Sequence, residues 1–305
     1  MLIVFPAHPA TPRQPDPAFE EEVTAARAAG FTVGFASLEI HFAGEVGLRV
    51  PAGSGEALYR GWMLRVEDYA RLEEALAARG YRLVNTTAAY QHCYLLPEWY
   101  AAIGEGNTPR SIWFPGRIFD MADVAARVRE AFGDAAVVLK DYVKSRKHEW
   151  FDACFIRSAG DVAEVGRVVS NFLRLQGDSL VGGLVFREFV EFKQIGLHSK
   201  SRMPLVREFR LFVCDGRLVT NAPYWGEGQY EGEVPGFELV ESFVSRIQSR
   251  FFAIDIAQKE DGTWLVMELN DGGSAGVPEG GSVSAFYAGL GRSFAPSFAS
   301  KVVDE

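Results

Sequence analysis

Near the C-terminus the sequence reads FFAIDIAQKEDGTWLVMELNDGGSAG, from Phe251 to Gly276. Two apolar runs flank a polar turn, and acidic groups interrupt both: Asp255 on the first arm, Glu268 with Asn270 on the second. A carboxylate buried in such a strand is costly unless a cation or hydrogen-bond donors compensate it. Side chains alternate along a strand, so Glu268 and Asn270 share a face. Counting back across a turn near Glu260–Gly262 brings Asp255 close to opposite them. Three oxygen-bearing side chains on one face suit Mg²⁺, a hard cation that takes carboxylate and carbonyl oxygens and leaves part of its shell to phosphate and water. A solvated sheet face would show the same alternation. The glycine run NDGGSAG favours a ligand, because it allows the close backbone approach that phosphate and substrate loops need.

Cationic groups appear earlier. VVLKDYVKSRKHEW places Lys140 inside an apolar strand and Lys144, Arg146 and Lys147 in the loop after it. VFREFVEF places Arg187 and Glu188 in a second apolar strand, and REFRLFV places Arg207, Glu208 and Arg210 in a third. Cross-strand ion pairs would account for the last two groups. Beside a metal site, a strand lysine is also what phosphate oxygens require.

Two short motifs lead elsewhere and fail. GGSAG at Gly272–Gly276 matches the GxSxG nucleophile elbow, but that motif needs a following helix and a later histidine. VPEGG follows instead, and the last histidine is His198. KEDG at Lys259–Gly262 matches the lysine motif of covalent nucleotidyltransferases, yet the chain after it is too short for their remaining motifs. Asp261-Gly262 between apolar runs reads as a hairpin turn. Neither GxxxxGK[ST] nor GxGxxG is present.

The order strand lysine, acidic hinge strand, strand arginine, Asp, then Glu-x-Asn resembles the ATP-grasp superfamily over roughly residues 110–280. VVLKDYVKS, VFREFVE and EFRLFV further resemble its clade named for two arginines and a lysine. The resemblance implies an ATP-grasp fold, ATP as co-substrate and one or two Mg²⁺ ions on Asp255, Glu268 and Asn270. It implies Lys140 on the α- and β-phosphates, with Lys144 or Lys147 reaching phosphate from the loop. Glu188 and the backbone near Phe189 and Val190 would hold adenine or ribose at the hinge. Arg210 would face the γ-phosphate or an acylphosphate, and Arg187 and Glu208 are further candidates for the same pocket. The loop KSRKHEW departs from the glycine-rich flap of many members, so closure over phosphate there must use side-chain charge.

These residues need elements to position them. LIVF, FTVGFA and YRLVN read as strands, and DPAFEEEVTAARAAG and VEDYARLEEALAARG as helices closed by Gly30 and Gly80. The alternation predicts an open α/β domain over residues 1–108, with IGEGNTPR (103–110) as linker, and the resemblance implies an ATP-grasp domain over 109–305 with a lid at about 135–190. In the second part MADVAARVREAFG, AGDVAEVGRVVSNFLRLQG, ELVESFVSRIQSRF and VSAFYAGLGRSF read as helices. DAAVVLKDYV, WFDACFIRS and GGLVFREFVEF read as strands. Gln194–Pro204 reads as irregular, and VREFRLFVCDGRLVTNAPY as a hairpin turning at Asp215-Gly216. The fold class is therefore α/β with α+β character.

Composition sets the outer limits. The 305 residues, 48% of them hydrophobic, can bury a large core in two lobes. No apolar run reaches the roughly 20 residues a membrane span needs, and MLIVFPAHPATPRQ reads as a first strand rather than a signal peptide. A formal charge of −9 argues against broad nucleic-acid binding. Three scattered cysteines fit a reducing, cytoplasmic setting, and the five histidines show no zinc spacing. Within these limits the resemblance implies an ATP- and Mg²⁺-dependent carboxylate–amine ligase working through an acylphosphate, on a peptide, protein terminus or amino acid. A kinase using the same pocket and a non-catalytic nucleotide-binding module are the rivals. Arg60, Arg65 and Arg110 could meet an anionic substrate group.

Overall fold

The computed structural model describes residues 1–37, 46–199 and 204–295. The chain begins with strand β1 (Leu2–Pro6), helix α1 (Glu20–Ala28) and β2 (Thr32–Ser37). Then come β3 (Gly47–Arg49), β4 (Gly55–Tyr59), α2 (Val66–Ala77) and β5 (Tyr81–Leu83). These strands form a sheet of order β3-β2-β1-β4-β5, parallel except for the β2–β3 pair. Strand β1 is buried along its whole length. That explains its unbroken apolar sequence: a strand covered on both faces shows no alternation.

Two further helices, α3 (Thr87–Tyr94) and α4 (Leu96–Ile103), follow in the aromatic-rich NTTAAYQHCYLLPEWY. Thr86 caps α3 by accepting from the Ala89 amide, and a proline in the first turn opens α4. The sequence reading assigned no element there, because aromatic residues spaced for two short helices leave little periodicity.

The next sheet has the order β6-β9-β7-β8, from β6 (Ser111–Pro115), β7 (Val137–Asp141), β8 (Phe155–Ile156) and β9 (Gly183–Glu188). Helix α5 (Met121–Phe132) and helix α7 (Val162–Gln176) cover one of its faces. Both are capped by aspartates, Asp120 and Asp161, whose carboxylates accept first-turn amides. Leu139, Leu184 and Phe186 point into that helical layer. WFDACFIRS is not one strand: Trp150–Ala153 forms the short helix α6 and only Phe155–Ile156 pairs with β7.

Gln194–Pro204 is likewise not wholly irregular. β10 (Gln194–Leu197) pairs antiparallel with β11 (Pro204–Val206), while positions 200–203 lie outside the described residues. The last sheet runs β13-β12-β14-β15, with β12 (Glu208–Cys214), β13 (Arg217–Pro223), β14 (Phe251–Gln258) and β15 (Trp264–Asp271). Asp215 and Gly216 both take positive φ in the expected turn, and Gly262 does so at the other. Helix α8 (Glu238–Val244) stops short of the expected Phe251, which opens β14 instead. Helix α9 (Val283–Phe294) has the expected span.

Alternation in the last sheet sorts its residues. Phe209, Leu211, Val213, Ile254, Ile256 and Leu269 join a core with α4 and α8. On the opposite face Phe212, Cys214 and Phe251 pack against Ile3 and Phe5 of β1 and against α9. The other end of that face carries Glu208, Arg210, Asp255, Glu268 and Asn270. One sheet face is thus apolar where the N-terminal sheet covers it and ionic where it does not.

Candidate active site

Antiparallel register brings the acidic residues together. Arg210 on β12 stands opposite Asp255 on β14, and Asp255 opposite Glu268 on β15. A register shift between Asp255 and Ile256 leaves Met267 unpaired, a β-bulge beside the site. Arg210 grips Asp255 through two bonds, Nε to Oδ1 and Nη2 to Oδ2, each 2.7 Å. Its Nη1 donates to the Gly276 carbonyl at 3.0 Å. Lys140 comes from the other sheet, and its Nζ lies 3.1 Å from Glu268 Oε1. That pair spans the gap between β7 and β15.

The electrostatics are crowded. Burial pushes the Asp255 carboxyl up, with the Glu268 charge adding to it, and Arg210 only partly offsets this. Burial also raises Glu208, which sits beside Asp255, well above the usual carboxylate range. For Glu268 burial is outweighed by Lys140 and Arg210, which hold it below that range. Lys147 is close enough to favour ionisation of both Asp255 and Glu208, and its Nζ lies 5.8 Å from the Trp225 ring centroid. Like carboxylates on one face are stable only while cations balance them.

The donor chemistry fits Mg²⁺. Two facing carboxylates and an amide oxygen are the hard oxygen ligands that the ion takes. Asn270 Nδ2 is buried beside the Glu268 carboxylate, which it helps to hold ionised, and it has no other hydrogen-bond partner among the described residues. Among the described residues no group of three or more His, Cys, Asp or Glu is assembled for a metal. The third donor is an asparagine, and both carboxylates are engaged by cations.

The remaining sequence-derived candidates separate. Arg187 is buried and links the two sheets structurally: it donates to Met267 O at 2.5 Å, Val266 O at 3.1 Å and Thr108 Oγ1 at 2.6 Å. Burial lowers its pKa to about 10. Alternation puts Glu188 on the face that carries Leu184 and Phe186, away from Lys140 and Arg187. Phe189 is partly exposed and packs edge-on against Phe155, 5.0 Å between ring centroids. Val190 lies just beyond β9 and is partly buried. Lys144 is exposed, with its backbone amide held by Asp141 Oδ1 at 2.6 Å.

Part of the glycine run packs against the N-terminal sheet. Gly61 N donates to Gly273 O at 2.9 Å, and a Cβ on Gly273 would strike the Tyr59 carbonyl oxygen. The close approach serves the N-terminal sheet. Arg60, a candidate for substrate binding, is buried and holds the same loop. It pairs with Glu22 at 2.6 Å and donates to the carbonyls of Gly272 and Ala275. Arg65 donates to Asp178 O at 3.3 Å, and Arg110 lies over the Phe132 ring.

The sequence reading missed the site's neighbours. A cavity of about 270 Å³ adjoins Arg210, walled by Tyr224, Trp225, Gly276 and Glu279 among others. NAPY was read only as the end of a hairpin, Trp225 was assigned to no element, and nothing in their spacing marks a pocket. A larger, shallow depression of about 580 Å³ over α5 contains none of the clustered charges.

A model of the ATP-grasp domain, specific to family 3 of the clade named for two arginines and a lysine, matches residues 131–290, more than half of the chain. No curated protein matches the sequence. Among solved structures, the fold is similar to a RimK domain ATP-grasp protein from Sphaerobacter thermophilus, at TM-score 0.59 and 14% identity over 95% of this chain and 98% of that one. It is also similar to the ATP-grasp ligase PsnB complexed with a precursor variant, Mg and ADP (TM-score 0.55, 14% identity, 96% and 98% covered). A third likeness is the macrocyclase MdnC bound with precursor peptide MdnA from Microcystis aeruginosa (TM-score 0.56, 12% identity, 95% and 99% covered).

Proposed function

Because the chain belongs to the ATP-grasp domains, in family 3 of the clade named for two arginines and a lysine, we propose that it is an ATP- and Mg²⁺-dependent ligase joining a carboxylate to an amine. The observation that carries this reading is the convergence of Lys140, Arg210, Asp255, Glu268 and Asn270, from four strands of two sheets, on one ionic face. PsnB, whose structure holds Mg and ADP, supports the same co-substrate and metal. We divide the chain into an N-terminal α/β domain over 1–108 and a grasp domain over 109–305, with the lid at about 135–190.

Asp255, Glu268 and Asn270 would hold one or two Mg²⁺ ions, which when bound neutralise phosphate charge. Lys140 and Lys147 would bind phosphate oxygens, with Lys144 approaching from the loop, while Arg210 faces the transferred phosphoryl group. Arg187 would keep the two sheets in register, and Glu208 would lie beside the metal ligands. The chain just beyond β9, at Phe189 and Val190, would flank the base or ribose, with the Glu188 side chain turned to the other face of the sheet.

In the reaction a substrate carboxylate oxygen bonds to the γ-phosphorus, and the bond to the leaving ADP breaks. The amine nitrogen then bonds to the acyl carbon, phosphate departs with the C–O electron pair, and the nitrogen loses a proton. The protein's part is positioning and charge stabilisation, so no nucleophilic side chain is needed.

The test is ADP release with Mg²⁺ across amino acids and peptides. Release that requires both an acid and an amine, with free phosphate and a product mass equal to the two substrates less one water, supports the ligase. A stable phosphorylated product overturns it in favour of a kinase.

A further inference from the structure

Next to Lys140 the strand carries a second buried charge. Asp141, the last residue of β7, is 1% exposed and forms no ion pair among the described residues. A carboxylate buried without a cation is costly unless hydrogen-bond donors satisfy it. Four donors do so. Oδ1 accepts from the amides of Val143 at 2.7 Å and Lys144 at 2.6 Å. Oδ2 accepts from Gln176 Nε2 at 2.8 Å and from the Val181 amide at 3.2 Å. Gln176 ends α7 and Val181 leads into β9. One side chain therefore ties the strand of Lys140 to its own layer on one side and to the following loop on the other. An asparagine could not replace it in full, because Nδ2 donates and would leave Val181 without an acceptor.

The loop is thereby closed on itself. The Asp141 amide donates to Lys144 O at 2.9 Å, and the Tyr142 amide to Val181 O at 3.2 Å. Lys140 and Ser145 then face each other as an antiparallel bridge. Every amide from Asp141 to Lys144 has an acceptor inside the protein. Successive free amides are what a backbone offers to phosphate, and none of these four is free. The side chains differ. Lys144 and Lys147 form no ion pair among the described residues, and Arg146 meets Glu149 at 3.0 Å.

We infer, resting on the nucleotide site proposed above, that Asp141 is a positioning residue of that site. It holds the cation loop in its working shape before nucleotide arrives and takes the amides that could otherwise turn to phosphate. Lys144 and Lys147 then meet phosphate through their side chains alone. A loop ordered only by its ligand would lose backbone freedom at the moment of binding. Here Asp141 has already imposed that order.

Amide hydrogen exchange of the full chain, followed by NMR with and without ATP and Mg²⁺, tests this on the wild type. The Val143 and Lys144 amides should be protected in the free protein, and ATP should change their exchange by less than about threefold. Amides that exchange freely until ATP protects them overturn the inference. Asp141→Ala should weaken ATP roughly tenfold, as for a loop in its working shape about a tenth of the time, and leave adenosine, which has no phosphate, within about twofold. Asp141→Asn keeps an oxygen for the loop amides. It should bind ATP within about threefold of wild type while unfolding at lower urea, because Val181 loses its acceptor. Equal weakening of ATP and adenosine by Asp141→Ala reduces Asp141 to a structural role, as does an Asp141→Asn protein roughly tenfold weaker for ATP. If the alanine variant does not fold, the exchange and the asparagine variant decide. ATP binding with freely exchanging amides removes this inference and leaves the ligase reading standing. A wild-type protein that does not bind ATP removes both.

Discussion

Arg60 and Arg210 are both buried arginines paired with a carboxylate, yet they answer different needs. Arg60 is saturated by the fold. Glu22 takes Nε and Nη2, two carbonyls of the glycine loop take Nη1, and the Phe286 ring lies 5.0 Å from the guanidinium. Tyr287 completes the cluster by donating to Glu22 at 2.7 Å. Around Arg210 the charges outnumber the bonds available to settle them: Asp255, Glu208 and Glu268 crowd one face, and Lys140 must reach across from another sheet. A closed ion cluster stabilises the molecule. An open one, whose members favour one another only in part, is arranged for an arriving charge.

Breaking the closed cluster should have the largest effect. Arg60→Met leaves Glu22 without its cation and two carbonyls without their donor, and should lower the unfolding free energy by about 3–5 kcal/mol in urea titrations. Whatever folds should still bind ATP. A variant of unchanged stability that loses turnover would move Arg60 into the chemistry and erase the contrast.

Glu268→Gln is the counterpart in the open cluster. ADP release should fall by about 10²–10³-fold, corresponding to roughly 3–4 kcal/mol. The unfolding free energy should fall by less than in Arg60→Met, since the Glu268 side chain is about a third exposed and the glutamine oxygen can still accept from Lys140. An equal loss of stability would show that this pair, too, is structural.

Gly273→Ala probes the loop that Arg60 holds. The added methyl meets the Tyr59 carbonyl, which belongs to a strand end and cannot swing away. A loss of about 1–3 kcal/mol in thermal or urea unfolding is expected. The smallest effect concerns His92 on α3. Burial holds its imidazole below the ordinary 6.5, with Glu98 opposing. The folded state therefore favours the neutral ring. That contribution is complete above the ordinary value and is lost as pH falls through it and then through the depressed folded value. His92→Gln should flatten this acid-side slope in stability measured between neutral and mildly acidic pH.

Much of the site was legible because strand alternation is a strict rule. It placed Glu268 and Asn270 together and Asp255 across from them, and register gives Asp255 opposite Glu268. Types and order of residues then suggested the family, whose model matches residues 131–290. What alternation could not show was saturation. Arg60 and the glycine run looked available for a ligand, but their partners, Glu22 and Tyr59, lie far away in sequence. Arg187 looked like one more cation of the pocket. The carbonyls that bind it, at Val266 and Met267, belong to the edge strand of the last sheet and lie beside its bulge. The short helices at Thr87–Ile103 and Trp150–Ala153 were missed for a simpler reason: fewer than three turns give too few repeats for a period to stand out.

The contact between Lys140 and Glu268 makes the two sheets each other's counter-ions. At the site proposed, a nucleotide entering between them would exchange one partner for another and gain little new charge attraction. Metal alone would strand the lysine, and nucleotide alone would strand the glutamate. Each therefore makes room for the other, and the two should load as a unit, with an affinity well below what the number of cations in the cleft would suggest.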